Sequence, residues 1–263
     1  EPVNLDIEMS FPEGLLAMNG YLGATRRFAL EFDADAANDG KYTFRRAALQ
    51  FGGALPEFRT ERGVTLDGSL PRLRVDDWLA LPDAADNATA ASAAQPANWG
   101  NAFAGADLAV AEFAVFGQRL GSTKVTARRR TDDWQLELDS DAIAGTLLVP
   151  VDLASDPQVV AVMRRLYLNA GDGDPGTGRQ LDPRELPGVQ LHADEFGVGQ
   201  RQLGRLDAEI LSDPLGLRLV SFESATDSFT AQGSGGWFVG SEGATTRFAV
   251  SIASTNVRSM LDQ

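Results

Sequence analysis

Leu206-Asp207-Ala208-Glu209-Ile210 sets apolar and acidic side chains in strict alternation. Successive side chains of an extended strand point to opposite faces, so this spacing makes a ribbon with one greasy and one wet side. The same period returns in Phe28-Ala29-Leu30-Glu31-Phe32, Trp134-Gln135-Leu136-Glu137-Leu138 and Phe248-Ala249-Val250-Ser251-Ile252. Turn-forming groups punctuate these runs, and Asn38-Asp39-Gly40, Asp213-Pro214-Leu215-Gly216 and Gly233-Ser234-Gly235-Gly236 are each expected to reverse the chain. Helical signal is thin. Asp156-Pro157 would open a helix well, but Val159-Val160-Ala161-Val162 is β-branched and Leu166-Tyr167-Leu168 suits a strand, so Val159 to Leu168 is expected to be extended. Thr255 to Leu261 suits a short helix. The chain is expected to be all-β with at most short helices.

Composition narrows the partners. A length of 263 residues with 43% hydrophobic content suits one or two domains with a real core. Thirty-seven acidic against 23 basic residues give a net charge of −14, which repels nucleic acid and anionic headgroups alike. No apolar run approaches the roughly 20 residues that span a bilayer, and no signal segment opens the chain. The start at Glu1-Pro2-Val3 suggests an internal piece of something longer. The absence of cysteine excludes thiol chemistry, disulfides and thiolate metal sites.

The organisation is that of a repeat. Residues 83–98 are Ala, Asp, Asn, Thr, Ser, Gln and Pro without periodicity, a linker or long loop between a first β segment (1–82) and a second (99–263). Within the second segment Glu112-Phe113 and Glu195-Phe196 stand 83 positions apart (195 − 112). At that offset Leu108 meets Leu191, Val115 meets Val198, Leu120-Gly121 meets Leu203-Gly204 and Leu136 meets Leu219. Identity and strand phase are kept together, which marks a duplicated multi-strand unit, about 107–170 and 190–254.

Motifs for catalysis are weak. The one histidine, His192, lies between Leu191 and Ala193, hence on the face opposite the apolar one, with no nucleophile elbow. Gly171-Asp172-Gly173-Asp174-Pro175-Gly176 fits a glycine-rich phosphate loop in spacing only, since its two aspartates repel phosphate and its proline removes a donor. As a calcium loop it lacks the required glycine and glutamate, at Thr177 and Pro183. Asp76-Asp77 and Asp132-Asp133 are carboxylate pairs whose through-space separation a sequence does not give; glycosidase chemistry is a third reading kept on that ground alone. Arg128-Arg129-Arg130 is offset by the acids that follow it and suits a hairpin tip.

What remains is the apolar face. Leu191, Leu206, Ala208, Ile210, Leu217, Leu219, Phe248, Val250 and Ile252 line one side of successive strands, and Leu108, Val110, Val125, Trp134, Leu136 and Leu138 line the earlier copy. Such a face must be covered. Two solutions stand open: a closed sandwich or barrel, serving as a structural spacer or docking module, and an open trough covered by hydrocarbon.

A resemblance bears on that choice. Asp182-Pro183-Arg184-Glu185-Leu186-Pro187-Gly188-Val189-Gln190-Leu191 leads on through Leu203-Gly204-Arg205-Leu206, Gly216-Leu217-Arg218-Leu219 and Ala231-Gln232-Gly233-Ser234-Gly235-Gly236-Trp237. This succession is similar to the YhdP group of AsmA-like envelope proteins. Gly63-Val64-Thr65-Leu66-Asp67-Gly68-Ser69-Leu70-Pro71-Arg72-Leu73 with Asp77-Trp78-Leu79-Ala80-Leu81 resembles another segment of the same group. The resemblance implies an elongated, strongly curved antiparallel sheet, a repeating taco-like β-groove with an apolar trough. It implies a periplasmic segment of a protein anchored in the inner membrane of a Gram-negative bacterium. Such proteins move phospholipid between inner and outer membranes in outer-membrane biogenesis. The expected partners are phospholipid acyl chains and neighbouring segments of the same chain, with edge-to-edge self-association a further expectation. Nucleic acid is not among the expected partners, and no membrane span is expected in this stretch. The resemblance carries over no catalytic residue, cofactor or metal and implies no enzyme; the apolar residues named above become candidates for the lipid-facing surface.

Overall fold

The computed structural model describes residues 4–35, 41–76, 102–153, 155, 158–170, 182–240 and 243–255. The expected Asn38-Asp39-Gly40 turn, the linker at 83–98, the 171–176 loop, Asp156-Pro157 and the tail beyond Thr255 lie outside them. The described strands follow one another in a single 15-stranded sheet, paired in sequence order from β1 to β15. The order has two ends, so the sheet is open: neither a barrel nor a two-sheet sandwich. Among the described residues no helix is long and apolar enough to cross a membrane.

Two compact units divide the chain, the first holding 1–73, 81–111 and 124–129 and the second the remainder. In the first, β1 (Leu5–Ser10), β2 (Leu15–Leu22), β3 (Arg26–Asp35) and β4 (Lys41–Phe51) pair antiparallel. β5 (Gly63–Arg74) then pairs with β4 in parallel. Register sets Ile7, Gly20, Phe28, Leu49 and Leu66 side by side across the five strands. The opposite side carries Glu31, Asp33, Arg46 and Asp67, and the connection at 52–62 lies over it. Arg46 donates to Glu31 at 2.7 Å and to the Thr60 carbonyl, and its guanidinium stacks 4.2 Å from the Phe58 ring. Arg62 pairs with Asp33 at 3.5 Å, and Arg59 pairs with Asp67. That cover explains why Ala48 is 0% exposed on what alternation would leave as a wet face.

The strands that lead into and make up the second unit are β6 (Phe103–Val115), β7 (Gln118–Arg129), β8 (Asp133–Asp139), β9 (Ile143–Pro150) and β10 (Gln158–Leu168), then β11 (Gly188–Val198), β12 (Arg201–Asp213), β13 (Gly216–Ala225), β14 (Phe229–Gly240) and β15 (Gly243–Ser254). Val159 to Leu168 is therefore extended. Arg128-Arg129-Arg130 ends β7 at a tight turn, closed by Arg130 N–H on the Asp133 carbonyl. Shifting the bounds of β11 to β15 back by 83 sets them over β6 to β10 to within three residues, except that β9 ends seven residues earlier than the shifted β14. Asp76 accepts the amides of Phe116 (2.8 Å) and Gly117 (3.2 Å), which ties down the β6–β7 turn, where Phe116 has a φ of +50°. Asn169, past β10, donates its amide to Gln118 and its side chain to the Arg119 carbonyl, so the ends of β7 and β10 meet beyond the short β8–β9 hairpin.

Two expectations are corrected. The sheet is not purely antiparallel: β4/β5 and β10/β11 are parallel pairs. A parallel pair needs a crossover, and 52–62 and 169–187 supply it. The second crossover ends in a 3₁₀ turn, Pro183–Glu185, capped by Asp182 and seated on β13 and β14 with Pro183 wholly buried. Arg218 and Ser234 beneath it stay exposed while Leu217, Leu219 and Trp237 are half-buried, so the turn sits on the apolar side. The second correction concerns Gly233-Ser234-Gly235-Gly236, which is no reversal but the middle of β14. Phe222 is paired with Gly233 and Phe248 with Gly235, and each ring lies across its glycine. A Cβ on Gly235 would stand 2.3 Å from the Arg247 carbonyl oxygen and 2.4 Å from the Phe248 ring. Gly20 with Phe28 and Gly145 with Met163 repeat the device.

Gly235→Ala is therefore expected to lose about 1–3 kcal/mol of stability, as overpacking does. Ser234→Ala next to it, on the exposed side, is expected to stay within about 0.5 kcal/mol. Urea unfolding followed by circular dichroism measures both; equal midpoints would contradict the ring-over-glycine packing.

Candidate functional site

From β8 to β15 the strand register strings apolar residues into continuous rows. One row runs Leu136, Leu147, Ala161, Leu191, Ala208, Phe222, Gly233, Val250. Beside it run Leu138, Gly145, Met163, Ala193, Leu206, Ser224, Ala231 and Ile252. A third row joins Val159, Val189, Ile210, Leu219, Gly235 and Phe248, and Leu217 pairs with Trp237. Only Ser224 is polar in these rows, and it is buried with its hydroxyl donating to the Leu203 carbonyl.

The residues expected on the apolar face fall as follows. Leu136, Leu138, Leu191, Leu206, Ala208, Ile210, Leu219, Phe248, Val250 and Ile252 all lie on these rows. Trp134, paired with Val149, shares the face two residues before Leu136, and Leu217 shares it two before Leu219. Leu108 and Val110 sit on β6 and are buried, Val110 to 1% exposure, while Val125 on β7 is half-buried. Access is greatest at β15: Phe248, Val250 and Ile252 are 59%, 52% and 61% exposed. Large apolar side chains in that state on one strip mark a surface meant to be covered.

One crevice opens on this side. It holds about 240 Å3 and is lined by Phe196, Leu203, Leu206, Phe222, Phe229 and Ile252, with Arg201 and Gln202 beside them. Phe196, Phe222 and Phe229 are absent from the sequence-derived set. For Phe196 and Phe222 the reason is parity, since the pairing slips between Ala193 and Phe196 and between Leu219 and Phe222; Phe229 opens β14, whose glycine-rich middle reads as a turn in the sequence. A β-bulge adds one residue and turns the following side chain to the other face, so strict alternation misassigns whatever comes after it.

The opposite face is polar. Its central row is Glu137, Thr146, Val162, His192, Asp207, Glu223, Gln232 and Ser251. A wide, shallow hollow of about 1020 Å3 is lined both by this row, with His192, Asp207 and Glu223, and by apolar residues such as Val160, Val220 and Val250. His192 stands where alternation places it, away from the apolar rows. Its Nδ1 is 2.6 Å from Asp207 and its Nε2 3.4 Å from Asp194. The hydrogen bond to Asp207 holds the imidazolium above its ordinary 6.5, with the charge of Asp207 and then Asp194 adding to it. Among the described residues the partners of this histidine are two carboxylates, and no hydroxyl is hydrogen-bonded to its ring.

A single open sheet, apolar on one face and polar on the other, defines a β-groove protein rather than a closed β-domain. Over residues 1–263 the chain matches the family described as YhdP protein, and it belongs to that family. No curated protein and no solved structure matches it.

The histidine gives a signed pH dependence. Because the folded-state value is raised, the His192–Asp207 pair stabilises fully below about 6.5, and its contribution is lost as pH rises through the folded-state value. The His192 ring signals in NMR should titrate above 6.5 in the native chain and move down in Asp207→Asn. An unchanged midpoint would remove Asp207 as the cause.

Proposed function

We propose that this chain is a periplasmic segment of a lipid-transfer protein, in which the apolar face of β8–β15 shields phospholipid acyl chains on their way between inner and outer membranes. The observation that carries this reading is the unbroken apolar row across eight strands, ending in side chains half or more exposed at β15. Membership of the YhdP family supports it.

The physical argument is one of transfer. Moving hydrocarbon into water costs about 0.8 kcal/mol per methylene, so baring two acyl chains of about 28 methylenes costs roughly 20 kcal/mol. A greasy strip that accepts the tails while the headgroup stays wet removes most of that cost. Because every row of the strip is built mainly of aliphatic or aromatic side chains, a tail finds apolar contact at each step along it. A tail can therefore move along it by small steps. The opposite face, with Glu137, Asp207 and Glu223 in one row, turns a hydrated, anionic surface outward and discourages flat adhesion to anionic membrane. The face needs no nucleotide, metal or cofactor for this work, and any direction must be imposed from elsewhere in the envelope.

Photocrosslinking side chains tests the reading directly. Placed at Leu219 and Val250 they should label phospholipid in cells, and placed at Arg218 and Arg247, on the polar side, they should not. Equal labelling from both faces would refute the assignment. Val250→Asp, at a site 52% exposed, should reduce labelling at Leu219 severalfold and cost under about 1 kcal/mol of stability. Ala193→Asp, at 0% exposure, should instead cost several kcal/mol, since it buries an unpaired charge.

A further inference from the structure

The 240 Å3 crevice has a feature that a purely greasy groove does not need. Arg201, the first residue of β12, lines it and is itself exposed. No ion pair or hydrogen bond engages its guanidinium among the described residues, in a chain whose other arginines are mostly tied to carboxylates. Its position on the apolar side has a local cause. β12 carries one extra residue against β11: Phe196 pairs with Gly204, whereas Gly197 pairs with Gln202. The bulge closes on Gly204, at φ +78°, where a Cβ would strike the Ala225 carbonyl. The added residue shifts the alternation and turns Leu203 and Arg201 to the side of Leu206. At the matching position of the first copy, 83 residues earlier, stands Gln118, uncharged and engaged by the Asn169 amide. The unpaired cation is a property of the second copy.

We infer that Arg201 and this crevice form an amphiphile site, in which the guanidinium holds an anionic headgroup and the crevice takes the first part of its alkyl chain. The inference rests on the lipid reading above and gives it a headgroup chemistry. At about 30 Å3 per water-sized group, 240 Å3 accepts roughly eight methylenes. A longer tail continues over Ile252, Val250 and Phe248. Guanidinium is the cation suited to this task, because its planar fork donates to two oxygens of a carboxylate or phosphate at once. The acidic remainder of the chain penalises anions elsewhere, so an anion is held where a tail and Arg201 act together.

Isothermal titration of the chain with decyl phosphate and decyl maltoside, both below their micelle concentrations, tests this, with the Ile252 methyl NMR signals reporting the place. Decyl phosphate is expected to bind about fivefold or more tightly than decyl maltoside and to shift the Ile252 signals. Arg201→Gln is expected to erase that preference while leaving maltoside binding and the melting temperature unchanged; Arg201→Lys is expected to keep part of it. Dihexanoyl phosphatidylglycerol and decanoate then separate the sources: retention of the first assigns a phospholipid phosphate, and retention of decanoate alone assigns a free fatty acid. Equal affinity for the two decyl probes, or a preference that survives Arg201→Gln, overturns the proposal. If it falls while lipid still labels from Val250, the groove stands without this headgroup site; if Val250 labels nothing, the groove reading itself has failed.

Discussion

Keeping one side of a sheet apolar over eight consecutive strands is a problem of residue counting. A slip of one position in any strand would send its whole apolar set to the wrong face. The register meets this constraint even where the strands are irregular. The bulges in β10, β11 and β13 each add a residue, yet after them the next large apolar groups, Leu166, Phe196 and Phe222, come back to the apolar face. The bulges therefore bend strands without breaking the strip.

The glycine pairs serve the same end. A row that alternated large side chains in every strand would stand proud of the sheet and be uneven. Setting Gly145, Gly233 and Gly235 opposite Met163, Phe222 and Phe248 lets the larger group lie flat across the neighbouring strand. The result is a smooth apolar surface with backbone close beneath it.

The two crossovers show how differently the two faces are treated. In the first unit the connection at 52–62 covers polar side chains, and its arginines, with Arg46 from below, satisfy Glu31, Asp33 and Asp67. In the second, the 3₁₀ turn at Pro183 rests on the apolar side of β13 and β14, leaving the polar row of His192, Asp207 and Glu223 to water. A charge row left wet costs little, since exposed ion pairs and hydrated carboxylates are near neutral in stability. An apolar row left wet is expensive unless something covers it, and in the proposed reading an acyl chain takes the place of a second protein layer.

Alternation in Leu206–Ile210, Trp134–Leu138 and Phe248–Ile252 determined by itself that the chain is all-β, which side of each strand is greasy, and that His192 faces away from it. The recurrence of Leu108, Glu112-Phe113, Val115 and Leu136 at an offset of 83 likewise stood in the sequence. The tertiary structure alone decided that Gly233-Ser234-Gly235-Gly236 is strand, since those glycines answer to rings on neighbouring strands rather than to a local turn. It also decided the two parallel pairs, which depend on where a crossover lands, and the crevice of Phe196, Phe222, Phe229 and Arg201. Phe196, Phe222 and Arg201 share that surface only because bulges, invisible to a count by twos, turn side chains of the wrong parity to the same side, while Phe229 joins them in phase with Ala231 and Gly233 on β14.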